Sequence, residues 1–259
     1  MAVLERWTSG IARRLGYEMI PAWRLESRDF AEHLRALFAQ ERIDCVADVG
    51  ANVGQYRDFL RVHVGYRGRI VSFEPISELA EILERRARSD SGWEVVPCAL
   101  GAEDTQLDIN VAVRSTFSSF LESDHRQTER FDDANRVVRR ESVRVRRLDG
   151  IADEIEALRT ARDIYLKCDT QGFDMQVIAG AKGILPRVSA MQSELSVLGI
   201  YKGMPDYLVT LNAMRELGFD PTGMFPVSRD EALRVVEFDC VAVNRSRLPV
   251  QAATACSSS

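Results

Sequence analysis

The sequence lacks several features that would assign its class directly. Its 259 residues contain no apolar run of about 18 residues, the length of a membrane-spanning helix. The first apolar stretch ends within four residues, unlike the longer apolar core of a secretory signal peptide. A net charge of −5 argues against a general attraction to nucleic acid. We therefore expect a cytoplasmic protein with neither a transmembrane segment nor a nucleic-acid partner.

Cysteine and histidine are too sparse and scattered to predict a zinc centre. None of the five cysteines stands in a Cys-x-x-Cys pair, which is the usual spacing of zinc ligands. The first four lie in or beside apolar runs, as expected of small buried thiols in a reducing compartment. The cysteines are Cys45, Cys98, Cys168, Cys240 and Cys256. Of the three histidines, His33 and His63 lie in helical patterns and are expected to be structural or solvated.

What the sequence does contain is a regular α/β pattern. Apolar residues make up 46% of the chain and charged residues 28%, a composition that suits one large soluble domain. Residues 28–41 have the spacing of an amphipathic helix. Strand-like apolar runs and helical stretches then alternate up to about residue 100, and again from residue 164 onward. This alternation predicts an α/β fold with a mostly parallel, roughly seven-stranded sheet and helices on both faces.

An insertion interrupts the alternation over residues 101–160. Two stretches in it alternate apolar and polar residues, which predicts two half-exposed strands that pair as a β-hairpin. Their apolar positions are Leu107, Ile109, Val111, Val143 and Val145. Residues 113–141 between them are polar and long for a plain connection. A lid over the substrate and partial disorder both fit this segment.

We accordingly divide the chain into three parts. Residues 1–43 are expected to form an N-terminal helical cover, and residues 44–251 the α/β domain that includes the insertion. Residues 252–259 are small and polar, and we expect a disordered tail there.

The most informative segment is residues 48–56, which follow a predicted strand and open a predicted helix. In a doubly wound sheet, ligands bind at such junctions, outside the carboxyl ends of the strands. Gly50 permits a tight turn, and Gly54 permits close approach of the backbone to a ligand or of the helix to the strand. Glu74 ends the next strand, just before Pro75. A carboxylate there can accept hydrogen bonds from both hydroxyls of a ribose.

Two nucleotide cofactors could use this arrangement. A dinucleotide requires the pattern G-x-G-x-x-G, but here Gly50 and Gly54 flank Asn52 in place of the middle glycine. Asp48 would also be a poor neighbour for a pyrophosphate. S-adenosylmethionine carries no phosphate. Asp48 can accept from its ammonium group or offset nearby positive charge, and the loop amides can meet its carboxylate. The residues favour this methyl donor.

Six segments, in order across residues 46–243, resemble the FkbM family of methyltransferases. They are Asp48-Val-Gly-Ala-Asn-Val-Gly-Gln-Tyr56, Gly68-Arg-Ile-Val-Ser-Phe-Glu-Pro75, Cys98-Ala-Leu-Gly101, Ser118-Ser-Phe-Leu121, Val145-Arg-Arg-Leu-Asp149 and Leu166-Lys-Cys-Asp-Thr-Gln-Gly-Phe-Asp174. The resemblance implies a Rossmann-like class I methyltransferase fold, S-adenosyl-L-methionine as donor, and transfer to oxygen. It also implies the acceptor class, commonly a sugar or polyketide hydroxyl in bacterial secondary metabolites or glycolipids.

The motifs and the resemblance together give one set of candidate cofactor-binding residues. These are Asp48, Gly50, Asn52, Gly54, Gln55, Tyr56, Glu74, Pro75, Ala99, Leu100 and Asp169. Cys168 departs slightly from the family pattern, because an apolar residue often precedes the aspartate there.

Methyl transfer to a hydroxyl benefits from a general base. Asp169 is the first candidate, because it ends the strand expected beside the cofactor; capping of the following helix is its alternative role. Glu194 ends the next strand and is the second candidate. His125, in the polar insertion, is the third, since its pKa suits that chemistry. Asp169 and Glu194 could also bind a divalent cation, but no compact metal motif favours this.

The acceptor site is the least determined part of the sequence. Ser118 and Ser119 could line it, or belong to an ordinary polar loop. The arginine run over residues 139–147 could meet an acidic acceptor, but such runs are more often solvated strand faces. The oligomeric state stays open, a homodimer included.

Two rival functions are retained. The first is an NAD(P)-dependent oxidoreductase on a Rossmann fold, which a nicotinamide-binding test would identify. The second is a non-catalytic binding domain, against which the intact set of Asp48, Gly50, Glu74 and Asp169 argues.

Overall fold

The computed structural model of the chain describes residues 27–124 and 131–247. The expected N-terminal structure before residue 27, the expected tail over residues 252–259, and Cys256 lie outside the described residues. The helices are α1 (Arg28–Gln40), α2 (Gln55–Phe59), α3 (Ser77–Ala87), α4 (Leu148–Ile151), α5 (Glu156–Thr160), α6 (Asp174–Ala179) and α7 (Tyr207–Glu216). The strands are β1 (Cys45–Val49), β2 (Arg69–Phe73), β3 (Trp93–Val96), β4 (Ala99–Leu100), β5 (Thr105–Ala112), β6 (Val137–Arg146), β7 (Ile164–Cys168), β8 (Val188–Ser196), β9 (Phe219–Arg229) and β10 (Val235–Asn244).

Seven strands form the main sheet, in the order β3-β2-β1-β7-β8-β10-β9. The first five of these strands are parallel, and β10 runs antiparallel between β8 and β9. The prediction of a mostly parallel, roughly seven-stranded sheet is therefore confirmed. The chain moves outward from β1 to β3 and then returns to the other side of β1 at β7. This reversal is a topological switch point, where doubly wound folds bind their ligands.

Helices cover both faces of the sheet. All five residues of β1 are buried, as are all five of β7, which is the burial expected of parallel strands in the centre of a sheet. Helix α1 buries Leu34, Leu37 and Phe38 on one face, where they join Tyr165 of β7 in a single apolar cluster. Helices α4, α5 and α6 cover the opposite face.

The predicted inserted hairpin is present. Strands β5 and β6 pair antiparallel, with Leu107 opposite Val143, and β4 adds to β6 in parallel to make a second, three-stranded sheet. Ile109, Val111, Val143 and Val145 are buried against α3. The second sheet thereby holds the segment after β5 above the carboxyl ends of β1 and β2.

One predicted helix differs from the structure. The spacing of Tyr56, Phe59, Leu60 and His63 predicts a helical face over residues 54–64. In the structure, α2 ends at Phe59 and a π-helical turn follows over Leu60–Val64. Arg61 in this turn is buried, and it donates hydrogen bonds to the carbonyls of Tyr66 and Gly68.

Within the described ranges, no helix has both the length and the hydropathy that crossing a bilayer would need.

Candidate active site

A pocket of about 280 Å³ lies at the switch point, outside the carboxyl ends of β1, β2 and β7. Because β10 runs antiparallel, its first residues meet the last residues of β8 at the same edge. The described residues between β5 and β6, 113–124 and 131–136, form the roof. The polar residues that line the pocket are Asn52, Gln55, Glu74, Ser115, Thr116, Ser118, Asp169, Thr170, Gln171, Glu194, Ser228 and Glu237.

The glycine loop after β1 forms the floor. Gly50 has φ +77°, and a Cβ atom added to it would lie 2.0 Å from the carbonyl oxygen of Asp169. Only glycine allows this approach, which brings Asp169 beside the loop. Gly54 has a different task, since a Cβ there would lie 3.0 Å from Leu83 and Trp93. It permits the start of α2 to pack against its neighbours and does not line the pocket.

Glu74 lies at the inner end of the pocket and is only 4% exposed. Its two carboxylate oxygens accept the backbone N–H groups of Asn52 at 2.8 Å and Ile76 at 2.9 Å. Burial raises the pKa of Glu74 to about 7, although these two hydrogen bonds oppose the shift. Each oxygen keeps a lone pair for a further donor. Ser115 of the roof donates to the side chain of Asn52 at 3.2 Å, which joins roof and floor.

An apolar wall stands beside Glu74. The pocket surface here consists of Pro75, Ile76, Ala99, Leu100 and Ile109. A flat apolar group such as a nucleobase could pack on this wall while a neighbouring diol reaches the carboxylate of Glu74.

Asp48 lies beneath the pocket. Its carboxylate is fully buried, 3.1 Å from the ammonium group of Lys167, and accepts the hydroxyl of Ser72 at 3.1 Å. Lys167 is 3.4 Å from Asp169 and also contacts the carbonyl oxygen of Gly50. Burial opposes the charged form of Lys167, but Asp48 and Asp169 together hold its pKa above the ordinary value. These contacts favour an electrostatic role for Asp48 over direct contact with a ligand.

Three carboxyl groups line the opposite end of the pocket: Asp169, directly after β7, Glu194 of β8 and Glu237 of β10. The side-chain amide of Gln171 donates to Asp169 at 3.2 Å and to Glu194 at 2.9 Å. Burial, and after it the charge of Asp169, raises the pKa of Glu194. Burial likewise raises the pKa of Glu237 to about 7. This end of the pocket can accept protons or hydroxyl hydrogen bonds.

Asp169 does not cap the helix that follows it, which was its alternative role. Its carboxylate contacts Lys167 and Gln171, and no side chain caps the first turn of α6. Asp174, the first residue of α6, closes the loop that precedes the helix by accepting the backbone N–H of Thr170 at 2.8 Å.

Most of the predicted site residues meet in this pocket. The pocket-lining members are Gly50, Asn52, Gln55, Glu74, Pro75, Ala99, Leu100, Asp169, Glu194 and Ser118. Ser119 is buried behind it and donates to the carbonyl of Gln171 at 2.7 Å. Tyr56 points into the core, where its hydroxyl donates to Gln192. His125 lies outside the described residues.

The structure also shows the surroundings of the possible metal ligands, the arginine run and the cysteines. Among residues 27–124 and 131–247, no group of three or more His, Cys, Asp or Glu side chains is arranged to hold a metal ion. Three members of the arginine run make ion pairs outside the pocket: Arg139 with Glu78 of α3, Arg146 with Glu154, and Arg147 with Asp149 of α4. The four described cysteines are buried and free, as expected.

Sequence reasoning did not single out several residues at the site, Lys167, Gln171 and Glu237 among them. Lys167 and Gln171 flank Asp169 in a motif already singled out, so their positions carried a signal. Glu237 carried no such signal, because only the antiparallel placement of β10 brings it to this edge.

The buried carboxyl groups predict a specific pH dependence of stability. Glu74, Glu237 and Asp239 each have a pKa of about 7, raised first by burial, against ordinary values of 4.5, 4.5 and 3.8. The folded protein therefore holds more protons than the unfolded chain between about pH 4 and 7. The stability that these groups contribute is fully present below this interval and is lost as pH rises through 7.

Chemical denaturation at a series of pH values checks this expectation. The free energy of unfolding should fall between pH 5 and pH 8, and the fall should be smaller in Glu237→Gln. The exposed Glu154→Gln variant is the control and should keep the wild-type slope. The lowered pKa of His33 acts in the opposite direction, but through a single group. A free energy that rises over the interval would contradict the assignment.

A profile described as the methyltransferase FkbM domain matches residues 48–221, more than half of the chain. A comparison with curated proteins gave no match.

Several solved structures are similar in fold. Methyltransferase FkbM from Methylobacillus flagellatus KT is 16% identical, with a TM-score of 0.49; the match covers 77% of this chain and 43% of that one. A SAM-dependent methyltransferase from Aquifex aeolicus is 14% identical, with 86% and 94% coverage and a TM-score of 0.42. Aeropyrum pernix fibrillarin, solved with S-adenosyl-L-methionine, is 11% identical, with 80% and 73% coverage and a TM-score of 0.43. This chain thus spans less than half the length of the first.

Proposed function

The chain belongs to the FkbM methyltransferase family, and we propose that it is an O-methyltransferase that acts on a hydroxyl of a sugar-containing small molecule, glycolipid or secondary metabolite. The methyl donor of this family is S-adenosylmethionine. The observation that carries the proposal is the division of one pocket into a nucleoside-like half at Glu74 and a carboxylate-lined half at Asp169.

The donor half suits the nucleoside of S-adenosylmethionine. Glu74 would accept the two ribose hydroxyls, and the apolar wall that includes Ala99 and Leu100 would pack against the adenine. Gly50 also lines the pocket, and its carbonyl oxygen, which Lys167 contacts, keeps a second lone pair for the ammonium group at the amino-acid end. Bound in this way, the donor would present a methyl group already activated by its sulfonium.

The acceptor half suits a hydroxyl-rich molecule. Asp169, Glu194 and Glu237 can accept hydrogen bonds from several hydroxyls, while the rings of Phe117 and Phe131, from the roof, line the same cavity. Carboxylates beside aromatic rings match the two surfaces of a sugar, whose edges are polar and whose faces are apolar.

The residues of the chain have three tasks in the reaction. The roof and floor orient the acceptor oxygen in line with the methyl group and exclude water. Asp169 takes the proton of the acceptor hydroxyl as the new bond to carbon forms. Lys167, buried beneath, lies 3.4 Å from the Asp169 carboxylate and holds it in place. Glu194 is the alternative base at the same rim.

Calorimetry tests the donor assignment first. S-adenosylmethionine and S-adenosylhomocysteine should bind with micromolar affinity, and NADH should not bind. Binding of NADH alone would favour the oxidoreductase alternative, and binding of none of the three would remove the donor assignment.

Replacing Asp169 with Asn should slow methyl transfer by roughly 10²–10⁴-fold, the usual contribution of a positioned base. S-adenosylhomocysteine formation is measured with a panel of glycosides, after a wild-type screen has found an acceptor. The dissociation constant for S-adenosylhomocysteine should change little. The exposed Asp153→Asn variant is the control. Unchanged turnover in Asp169→Asn would exclude Asp169 as the base and leave Glu194 as the candidate.

A further inference from the structure

Gln171 occupies an unusual position in the site. It follows β7 with φ +53°, the left-handed region that non-glycine residues rarely adopt. Its side chain faces the pocket, and both ends of its amide have partners. A residue held in this conformation is expected where the surroundings require its side chain in one place.

The amide group joins the acid pair to the roof. Its nitrogen carries two hydrogens, and these reach the carboxylates of Asp169 and Glu194 at 3.2 and 2.9 Å. Its oxygen accepts the hydroxyl of Tyr201 at 2.8 Å. This is the one orientation of the amide that satisfies all three partners, because carboxylates cannot donate.

Tyr201 belongs to the contact between the roof and the loop after β8. Its hydroxyl lies 2.9 Å from the carbonyl of Phe117, and Ser123 forms a β-bridge with Tyr201. Phe117 and Leu121 pack against Ile200 and Tyr201 in a small apolar cluster. Residues 117–124 are therefore docked on the loop after β8, whose Tyr201 donates a hydrogen bond to the side chain of Gln171.

We propose that Gln171 is a positioning residue of this site, whose amide fixes the carboxylates of Asp169 and Glu194. Its contacts with Tyr201 and Ser119 make that arrangement depend on the docking of residues 117–124. The inference rests on the proposed function for the identity of the acid pair. The N–H that Gln171 donates to Glu194 favours the charged form of this carboxyl group, in opposition to the burial that raises its pKa.

The test needs no acceptor, because it is made on the full chain with S-adenosylhomocysteine present. Gln171→Gly keeps the backbone conformation and removes the amide, whereas Gln171→Glu replaces its donors with a third carboxylate. Carboxyl ¹³C NMR should place the pKa of Glu194 higher in both variants than in wild type. Hydrogen exchange in residues 117–124 should become about tenfold faster in Gln171→Gly and in Tyr201→Phe.

Arg42→Gly is the matched control, since Arg42 also has a positive φ, 54°, and lies outside the pocket. It should alter neither readout. Faster exchange with an unchanged titration of Glu194 would overturn the proposal, because Gln171 would then only brace the roof. Unchanged exchange in both Gln171→Gly and Tyr201→Phe would overturn it as well. Failure of the proposed function is separate: wild type would then not bind S-adenosylhomocysteine.

With an acceptor in hand, a further readout separates positioning from folding. Gln171→Gly should lower kcat by about 10²-fold, the scale expected when a reacting group is misplaced by about 1 Å. The acidic limb of its rate–pH profile should move to higher pH. A change in KM alone would count against the proposal.

Discussion

Replacing Lys167 with Met should lower the free energy of unfolding by about 3–5 kcal/mol, the usual cost of removing one partner from a buried ion pair. Lys167 is 3% exposed and lies 3.1 Å from the fully buried Asp48. The methionine would fill a similar volume, so the loss comes from the carboxylate left without its cation. Chemical denaturation measures it directly.

A double variant isolates the cause of this loss. Asp48→Asn combined with Lys167→Met removes both buried charges and should recover much of the stability. Lys202→Met is the matched control, because Lys202 pairs with Glu122 at 3.0 Å but both side chains are more than half exposed. The free energy of unfolding of Lys202→Met should differ from that of wild type by no more than the error of the measurement. A Lys167→Met loss no larger than that of Lys202→Met would mean that Asp48 carries no charge needing compensation.

The expected loss also bears on the site. Lys167 contacts Asp48, Asp169 and the carbonyl of Gly50, and so holds the glycine loop and the acid end of the pocket together. Its buried charge lies at the switch point between β1 and β7. We infer that this lysine sets both the stability and the electrostatics of the pocket floor.

The donor half of the pocket could be predicted from the sequence. Gly50 and Glu74 each end an apolar run, and parallel neighbouring strands bring such ends to one edge of the sheet. The strand–helix alternation was strong enough to give the fold class and the strand count. The hairpin of β5 and β6 followed from a clear period of two.

The rest required tertiary structure. Gly54 and Tyr56 share the motif of Gly50 but do not line the pocket. Gly54 lets the start of α2 pack closely against its neighbours, and the side chain of Tyr56 points into the core. Spacing along the chain does not distinguish these roles. Glu237 begins its strand, whereas Glu194 lies near the end of its own. Only an antiparallel insertion of β10 puts both at the same edge, and no local pattern encodes which strand is inserted.

Replacing Glu74 with Gln should weaken nucleoside binding by roughly 10- to 150-fold, because hydrogen bonds to a charged group contribute about 1.5–3 kcal/mol. A suitable probe is 5′-methylthioadenosine, which keeps the ribose diol and lacks the amino-acid group, so no ligand ammonium titrates near neutral pH. Calorimetry gives the dissociation constant. Glu81→Gln, on the exposed side of α3, is the control and should bind like wild type.

The affinity of wild type for the nucleoside should also depend on pH. The pKa of Glu74 is about 7, so the carboxyl group is largely protonated at pH 6. A carboxylate accepts from both ribose hydroxyls, whereas the acid must donate through one oxygen. Wild-type affinity should therefore rise between pH 6 and pH 8, by at most about tenfold per pH unit below the pKa, and level off above it. Glu74→Gln should bind with little dependence on pH over the same range.

A 2′-deoxy analogue should reduce the difference in affinity between wild type and Glu74→Gln, because one of the two hydrogen bonds is then absent from both. Equal binding by wild type and variant at pH 8 would place the ribose elsewhere in the pocket.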